Sequence, residues 1–407
     1  MIRRPTTAHA IGSATVCGGG NAAHVLVPLM AQAGWQVRVF APFADEAQRL
    51  RAHMTTGGGT MARFAGGRSV RGQACCISAD AAEVIPGAGL ILLALPAYAH
   101  GPTLAAIAPY LEEGVTIVAL PARSGFDLQA RATLEMGALS PTVAGLQTLP
   151  WACRVTEYGR EVNVLGTKAR VDLAAVPGDS AAQVVDILRP LLGVNLQPIT
   201  SFLALTLANT GQLIHPGIMY GRCRGREDRT YAEEEIPLFY QGLDSFTVGL
   251  LEALSDEVQA VAGALARQLL DFDPEEVTPL YDWLLAAYPE AIEDAGSLRQ
   301  AFNSNRAYAG LRLPVRAVDD GRYVVDFEAR YLSEDVPHGL VVVRGIAELA
   351  RVPTPTIDTV IDWAQERLGR CYLDGSGLCG PDVHRSRAPQ AYGVTDLVQL
   401  CPDGGAS

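Results

Sequence analysis

The feature that most constrains this chain is a glycine cluster closing its first apolar run, Ala14-Thr15-Val16-Cys17-Gly18-Gly19-Gly20-Asn21-Ala22-Ala23-His24. Read as G-x-G-x-x-A, it gives each small residue a task. Gly18 allows a tight turn, Gly20 lets the backbone approach a pyrophosphate, and Ala23 lets the next helix lie close to the strand. The phosphate then faces free N–H groups at a helix N-terminus. Alone the pattern is weak and also fits a plain tight turn. Here it follows a strand-like run, opens a helical one, and precedes a second strand, Gln36–Phe40, at the distance a β-α-β unit requires. The pattern predicts dinucleotide binding.

The rest of the first half supports this frame. Residues 90–95 and 116–120 are continuous apolar runs, each ending at a proline, Pro96 and Pro121. Such strands, alternating with helical stretches at 25–33 and 181–192, predict a parallel, doubly wound sheet. Residues 161–165 and 171–176 read as further strands. From about Thr200 helical patterns dominate, at 202–213, 245–270, 297–302, 339–350 and 356–368, the last following Pro355. The expected fold class is α/β, with a Rossmann-type domain over residues 1–200 and a mainly α-helical domain over 201–407. The charged stretch 222–235 reads as an exposed loop, and the tail after Cys401 as frayed.

Composition narrows the partners. A chain of 407 residues with 49% hydrophobic and 19% charged residues has material for two cores. Its formal net charge of −12 repels phosphate backbones and anionic lipid, so neither nucleic acid nor membrane is an expected partner. Eight cysteines without C-x-x-C spacing read as reduced, mostly buried thiols, and no metal cluster is spelled out. Residues 1–15 lack the apolar core of a signal peptide. The most apolar run, 89–99, is interrupted by Pro96 and falls short of the roughly 20 residues that span a bilayer. The expected location is the cytoplasm.

The end of the second strand, Val39-Phe40-Ala41-Pro42-Phe43-Ala44-Asp45, carries no arginine to clasp a 2′-phosphate; the next, Arg49, lies in the following helix. Asp45 or Glu46 can accept from ribose hydroxyls, although Asp45 serves equally well as a helix cap. NADH is favoured over its 2′-phosphorylated form.

A nicotinamide enzyme acting on a carbonyl or imine needs a proton donor beside the hydride acceptor. Lys168 is the only lysine, the other 31 basic residues being arginines, and it sits in a β-rich part of the first half. Among seven histidines, His100 follows a strand and could line a cleft. His215 stands apart, at the end of an apolar helical run in Asn209-Thr210-Gly211-Gln212-Leu213-Ile214-His215-Pro216-Gly217. Pro216 disfavours helical geometry at the residue before it, so a broken helix is expected at His215. A satisfied core histidine is the plain alternative. The segment Asp326 to Pro337 supplies a carboxylate, Asp335, to fix an imidazole tautomer, and Arg330 to grip a substrate carboxylate. On pattern alone it reads equally well as a solvated salt-bridge loop.

Ten blocks, in order from Val16 to about Leu397, resemble the octopine dehydrogenase family of opine dehydrogenases. They are CGGGNAAH from Cys17, FADEA from Phe43, LPAYAH from Leu95, TLPWACR from Thr148, VLGTK from Val164, IHPGIMYGR from Ile214, PLFYQGLD from Pro237, RYLSEDVPHGLV from Arg330, DWAQERLG from Asp362 and PQAYG from Pro389. The resemblance implies a Rossmann domain followed by a helical opine-dehydrogenase domain, with the site in the cleft between them and a hinge near Ser201. It implies His215 as catalytic acid/base with Asp335 as its partner. It implies Arg330, Gln147, Thr148, Trp283, Asn209 and Cys153 around the substrates. Gly18, Gly20, Asn21, Ala23, Phe43, Asp45 and Pro96 fall to NADH. The partners are pyruvate and an amino acid, joined through an imine that is then reduced, by a monomer.

One departure bears on the amino acid. Octopine-forming members carry glutamate where this chain has Gln147, and Asn209 stands in place of an apolar residue. Losing a carboxylate that would attract a guanidinium points to a small or uncharged amino acid, such as taurine, glycine, alanine or β-alanine, with arginine less favoured. Two other readings stay open: a 2-keto acid or 2-hydroxy acid dehydrogenase that needs no amine, and a catalytically silent NADH sensor.

Overall fold

Eight strands form the sheet on which the glycine cluster sits, in the computed structural model, which describes residues 12–54, 58–134, 141–375 and 377–400. His9 and the tail after Cys401 lie outside the described residues. Across the sheet the strands run Asn195–Pro198, Arg170–Val176, Thr142–Leu146, Thr116–Ala119, Leu90–Leu93, Ser13–Cys17, Gln36–Phe40 and Cys76–Ser78. The chain reverses direction beside Ser13–Cys17, the strand that feeds the glycine cluster. In open α/β sheets ligands bind at such a switch point, outside the carboxyl ends of the strands. The expected doubly wound sheet is present. Leu90–Leu93 is buried along its whole length, which is why it reads as an unbroken apolar run. One pairing departs from an all-parallel sheet: Arg170–Val176 runs antiparallel to Thr142–Leu146.

Between Thr142–Leu146 and Arg170–Val176 the chain leaves the sheet to form the hairpin Trp151–Glu157 and Glu161–Thr167. This hairpin joins Thr60–Phe64 and Ser69–Gly72 in a second, four-stranded sheet. That sheet lies against the helix Asn21–Gln32, which is hydrophobic nearly all round and correspondingly buried. Val155 N–H donates to Asn21 Oδ1 at 2.8 Å, fixing the hairpin beside the glycine turn.

Beyond Pro198 the chain is mainly helical. The longest helix, Ser245–Gln268, is capped by Asp244, whose carboxylate accepts from Thr247 N–H at 2.8 Å. It packs along Gly211–Cys223, the helix that carries His215. Close approach is built into the sequence. A β-carbon at Gly217 would fall 2.8 Å from Leu251, and one at Gly221 would fall 2.3 Å from Thr247. The helix Ala181–Leu192 matches expectation residue for residue, buries positions 181, 184, 185, 188, 191 and 192, and ends at left-handed Gly193.

Two expectations are corrected. The helical run 202–213 is two helices, Phe202–Leu207 and Gly211–Cys223, and the break falls at 208–210 rather than at His215. Gln212 is the reason: its side-chain amide donates to the carbonyls of Thr206 at 3.1 Å and Leu207 at 3.4 Å, which lets the first helix end. Pro216 then lies in the second turn, where its missing N–H leaves a single carbonyl short of a donor. The stretch 222–235 is not simply an exposed loop. Thr230–Tyr231 pairs with Tyr323–Val325 in a small three-stranded sheet, and Tyr231 is buried. Among the described residues no helix is long and apolar enough to cross a membrane.

Candidate active site

Gly18 takes φ = +111°, and a β-carbon there would fall 2.8 Å from the Ala94 carbonyl oxygen. Only glycine turns the chain here without strain. Gly20 caps the helix Asn21–Gln32 with no side-chain partner, and a β-carbon on it would meet nothing within 4 Å. The first helical N–H groups therefore face open space, which suits a pyrophosphate. That space is part of a groove of about 510 Å³ bordered by Gly20, Asn21, Pro96, Cys153 and Arg330. Ala23 is buried behind it, as close helix–strand packing requires. Phe43 is exposed, and Asp45 pairs loosely with Arg49 at 3.7 Å; neither lines the groove. The acidic side chain nearest the glycine turn is Glu46, against which a Gly19 β-carbon would clash and to which the Tyr158 hydroxyl donates at 3.2 Å.

The groove meets a smaller cavity of about 230 Å³, with Pro121, Leu149 and Arg330 on both walls. Here the structure brings together residues far apart in the chain: Thr148, Asn209, His215, Trp283 and Arg330 all line it. His215 Nδ1 lies 2.7 Å from Asp335 Oδ2. A carboxylate can only accept, so Nδ1–H donates, and Nε2 offers its lone pair to the Tyr240 hydroxyl at 2.9 Å. Tyr331 stacks on the imidazole with ring centroids 4.3 Å apart. Burial first, and then the neighbouring Tyr331, push the Tyr240 phenol well above its usual range, so it remains a donor.

Asp335 is placed by a local irregularity. It precedes the wide turn Val336–Leu340, where Pro337 removes an N–H and Leu340 N–H reaches back five residues to the Asp335 carbonyl. Asp335 is 1% exposed, and burying a lone carboxylate there would be prohibitive. Arg123 answers that cost. Its Nη1 stands 2.8 Å from Asp335 Oδ1, an ion-pair contact whose angle falls short of a hydrogen bond, and its Nε donates to Glu334 Oε1 at 3.2 Å. Glu334, fully buried, also accepts from Arg330 Nε and from Ala97 N–H at 3.0 Å. Burial opposes its charge, but Arg123 and Arg330 more than compensate and hold the Glu334 carboxyl well below the usual range. Arg330 spends only Nε on Glu334. Its two terminal nitrogens have no protein partner among the described residues, and they stay free for a carboxylate.

Gln147 does not join this set. It is 4% exposed and its amide donates to the Ala208 carbonyl at 2.5 Å, so it turns into the protein rather than toward the cavity. His100 does not line the cleft either. It is buried, close to the Leu95 carbonyl, and accepts from Arg387 at 2.9 Å. Lys168, set aside on sequence, stands on the cavity wall. Arg123, Glu334 and Tyr240 were not singled out. Tyr240 lies inside the PLFYQGLD block, and Arg123 follows the carboxyl end of the strand Thr116–Ala119, where α/β sheets place functional side chains.

The chain is similar to known proteins along most of its length. Residues 198–368 match the family model described as NAD/NADP octopine/nopaline dehydrogenase, alpha-helical domain. Octopine dehydrogenase of Mizuhopecten yessoensis is 38% identical over 397 residues, covering 94% of this chain and 96% of that protein. Tauropine dehydrogenase of Arabella iricolor is 35% identical over 393 residues, covering 94% of this chain and 98% of that one. The solved complex of an octopine dehydrogenase with NADH and pyruvate superimposes with a TM-score of 0.84 at 34% identity, covering 97% of this chain and 99% of the other.

Proposed function

The chain belongs to the octopine dehydrogenase family of NAD-dependent oxidoreductases acting on CH–NH groups, and from that premise we propose that it joins pyruvate to an amino acid and reduces the resulting imine. One observation carries the reading: the His215–Asp335 pair faces a cavity that opens onto the glycine-loop groove, with Arg330 on both walls.

NADH bound in the groove supplies the hydride. The protein's own groups do the rest. The terminal nitrogens of Arg330 hold the pyruvate carboxylate by two parallel hydrogen bonds, fixing the keto carbon near the junction of groove and cavity. The neutral amine attacks that carbon, and the C–O bond breaks as water leaves. His215 Nε2 takes the proton released on attack and passes it to the keto oxygen; a second proton, taken up from solvent through the same imidazole, lets that oxygen leave as water and leaves an iminium whose carbon accepts the hydride. In the free protein Tyr240 occupies that nitrogen's lone pair, so its hydroxyl must yield as the substrates bind. Asp335 keeps Nδ1 protonated and stabilises the transient imidazolium, as a triad carboxylate does. The aromatic wall of Tyr240, Trp283, Tyr288 and Tyr308, with Tyr331 stacked on His215, excludes water from the imine.

The relatives' names carry different products, octopine and tauropine, so the amino acid must be argued from the cavity. The two carboxylates behind its wall, Glu334 and Asp335, are buried and each committed to arginine, and none lines the cavity for a cationic side chain. A small or uncharged amino acid fits: taurine, glycine, alanine or β-alanine. NADH oxidation, followed by absorbance with pyruvate and a panel of these amines and arginine, tests the reading. Turnover with pyruvate plus a small amino acid is expected. Equal turnover with pyruvate alone would overturn it.

A further inference from the structure

Three cations line the cavity, Arg123, Arg330 and Lys168, while the two carboxylates that answer them, Glu334 and Asp335, lie buried behind its wall, and the imbalance falls on Lys168. Arg123 is spent on Glu334 and Asp335. Arg330 is half spent on Glu334 and faces the cofactor groove. Lys168 makes one hydrogen bond, to the Leu149 carbonyl at 2.9 Å, and lies 5.8 Å from the centre of the Tyr288 ring. It makes no ion pair among the described residues, so two of its three N–H donors await acceptors.

Position adds to charge. Lys168 lines both the cavity at His215 and an adjoining third cavity of about 610 Å³, which also shares Tyr288 and Tyr308 with it. Arg330 is absent from that third cavity, and Lys168 is absent from the groove. The two cations therefore share the wall in front of His215 but lead into different neighbouring spaces, Arg330 into the groove and Lys168 into the third cavity. Among the described residues the carboxylate on the third cavity's wall, Glu290, shares it with Arg306 and makes no ion pair with Lys168.

We propose that Lys168 is the specificity determinant for the amino partner, receiving its acid group, carboxylate or sulfonate, while Arg330 receives the carboxylate of the keto acid. An amino acid tied at Lys168 and a keto acid tied at Arg330 meet in front of His215, whose cavity both cations line. This division also explains why the reaction takes amino acids rather than simple amines. A charge-assisted hydrogen bond to lysine is worth roughly 10- to 100-fold in affinity.

This inference rests on the function proposed above, and binding separates the two. Ethylamine is the counterpart without an acid group of alanine, β-alanine and taurine alike. Their affinities for the NADH-loaded protein are measured by calorimetry for wild type, Lys168→Met and Lys168→Arg, alongside steady-state KM values for amine and pyruvate. Wild type should prefer at least one of the three acids over ethylamine by about tenfold or more. Lys168→Met should abolish the preference without moving the pyruvate KM, and Lys168→Arg should retain most of it. The three acid arms distinguish carboxylate from sulfonate. A preference that persists in Lys168→Met, or is missing from wild type, overturns the assignment, as does a pyruvate KM that rises in step with the amine KM. If wild type turns over no amine yet Lys168→Met still loses acid binding, the anion site stands and the proposed reaction falls.

Discussion

Asp335→Asn is the sharpest perturbation of the proposed chemistry, because it keeps shape and removes charge. Asp335 lies between His215 Nδ1 at 2.7 Å and Arg123 Nη1 at 2.8 Å. An asparagine cannot serve both. With its oxygen toward His215, its NH₂ faces the guanidinium. Flipped, it drives the imidazole into the wrong tautomer. The magnitude follows from what Asp335 adds when His215 becomes charged. Opposite charges about 4 Å apart attract by about 4 kcal/mol at an effective dielectric near 20, which sets an upper bound. A charge-assisted hydrogen bond, worth about 2 kcal/mol, sets a lower one. At about 1.4 kcal/mol per decade, kcat should fall roughly 30- to 1,000-fold. The assay is NADH oxidation at saturating pyruvate and amino acid, with NADH affinity followed by fluorescence. That affinity should hold, since Asp335 does not line the groove. A folded Asp335→Asn with kcat within threefold of wild type would refute the role given to the pair.

Further expectations concern the cofactor turn, the imidazole's second partner and the response to acid. Gly18→Ala places a methyl group against the Ala94 carbonyl in a left-handed conformation, and should lower thermal stability. Gly20→Ala meets nothing within 4 Å, so its melting temperature should match wild type while NADH affinity drops tenfold or more; equal losses in both variants would count against the pyrophosphate reading. Tyr240→Phe removes the hydroxyl that occupies Nε2 in the free protein, and should change kcat less than tenfold; a loss as deep as that of His215→Ala would make Tyr240 an essential proton carrier. Burial, then Arg387, holds His338 down to about 3 from its ordinary 6.5. The unfolded chain therefore takes up a proton below 6.5 that the folded one refuses, so stability is full above that pH and is lost as pH falls toward 3. The slope is up to about 1.4 kcal/mol per pH unit, and urea titrations at pH 7, 6 and 5 should show it flattened in His338→Gln.

Fold class was legible because its signals are local. A parallel strand buried on both faces must be apolar throughout, and the glycine turn must be small where backbone and phosphate meet. Both constraints act within a few residues, so both can be read in order. The four-stranded sheet was harder. Its strands come from residues 60–72 and 151–167; 161–165 reads as a strand, but Trp151–Glu157 alternates between buried and exposed positions only over its first four residues. The break at 208–210 was misplaced for a related reason. Proline is a strong local signal, but the deciding interaction is a glutamine side chain folding back on carbonyls five and six residues upstream.

The candidate site divides along the same line. His215, Arg330 and Asp335 could be named because each sits in a segment whose composition is unusual for its surroundings. Arg123 could not. It stands in a short loop, and what distinguishes it is φ = +58°, a left-handed backbone that a bulky residue rarely adopts. That strain aims the guanidinium between two buried carboxylates contributed by a segment more than 200 residues later. Gln147 failed in the opposite direction, since a charge difference in a motif says nothing about which way the side chain turns. On the proposed function, charge specificity follows the sum over groups that converge in space. Arg123 cancels both carboxylates that a cationic substrate would seek, and the remaining positive charge sits on the one lysine. Arg123→Met should therefore do more than weaken catalysis. It leaves Glu334 and Asp335 with one fewer cation, so the enzyme's relative affinity for arginine over alanine should rise. A ratio unchanged in a folded Arg123→Met would show that geometry, not net charge, excludes the cationic side chain.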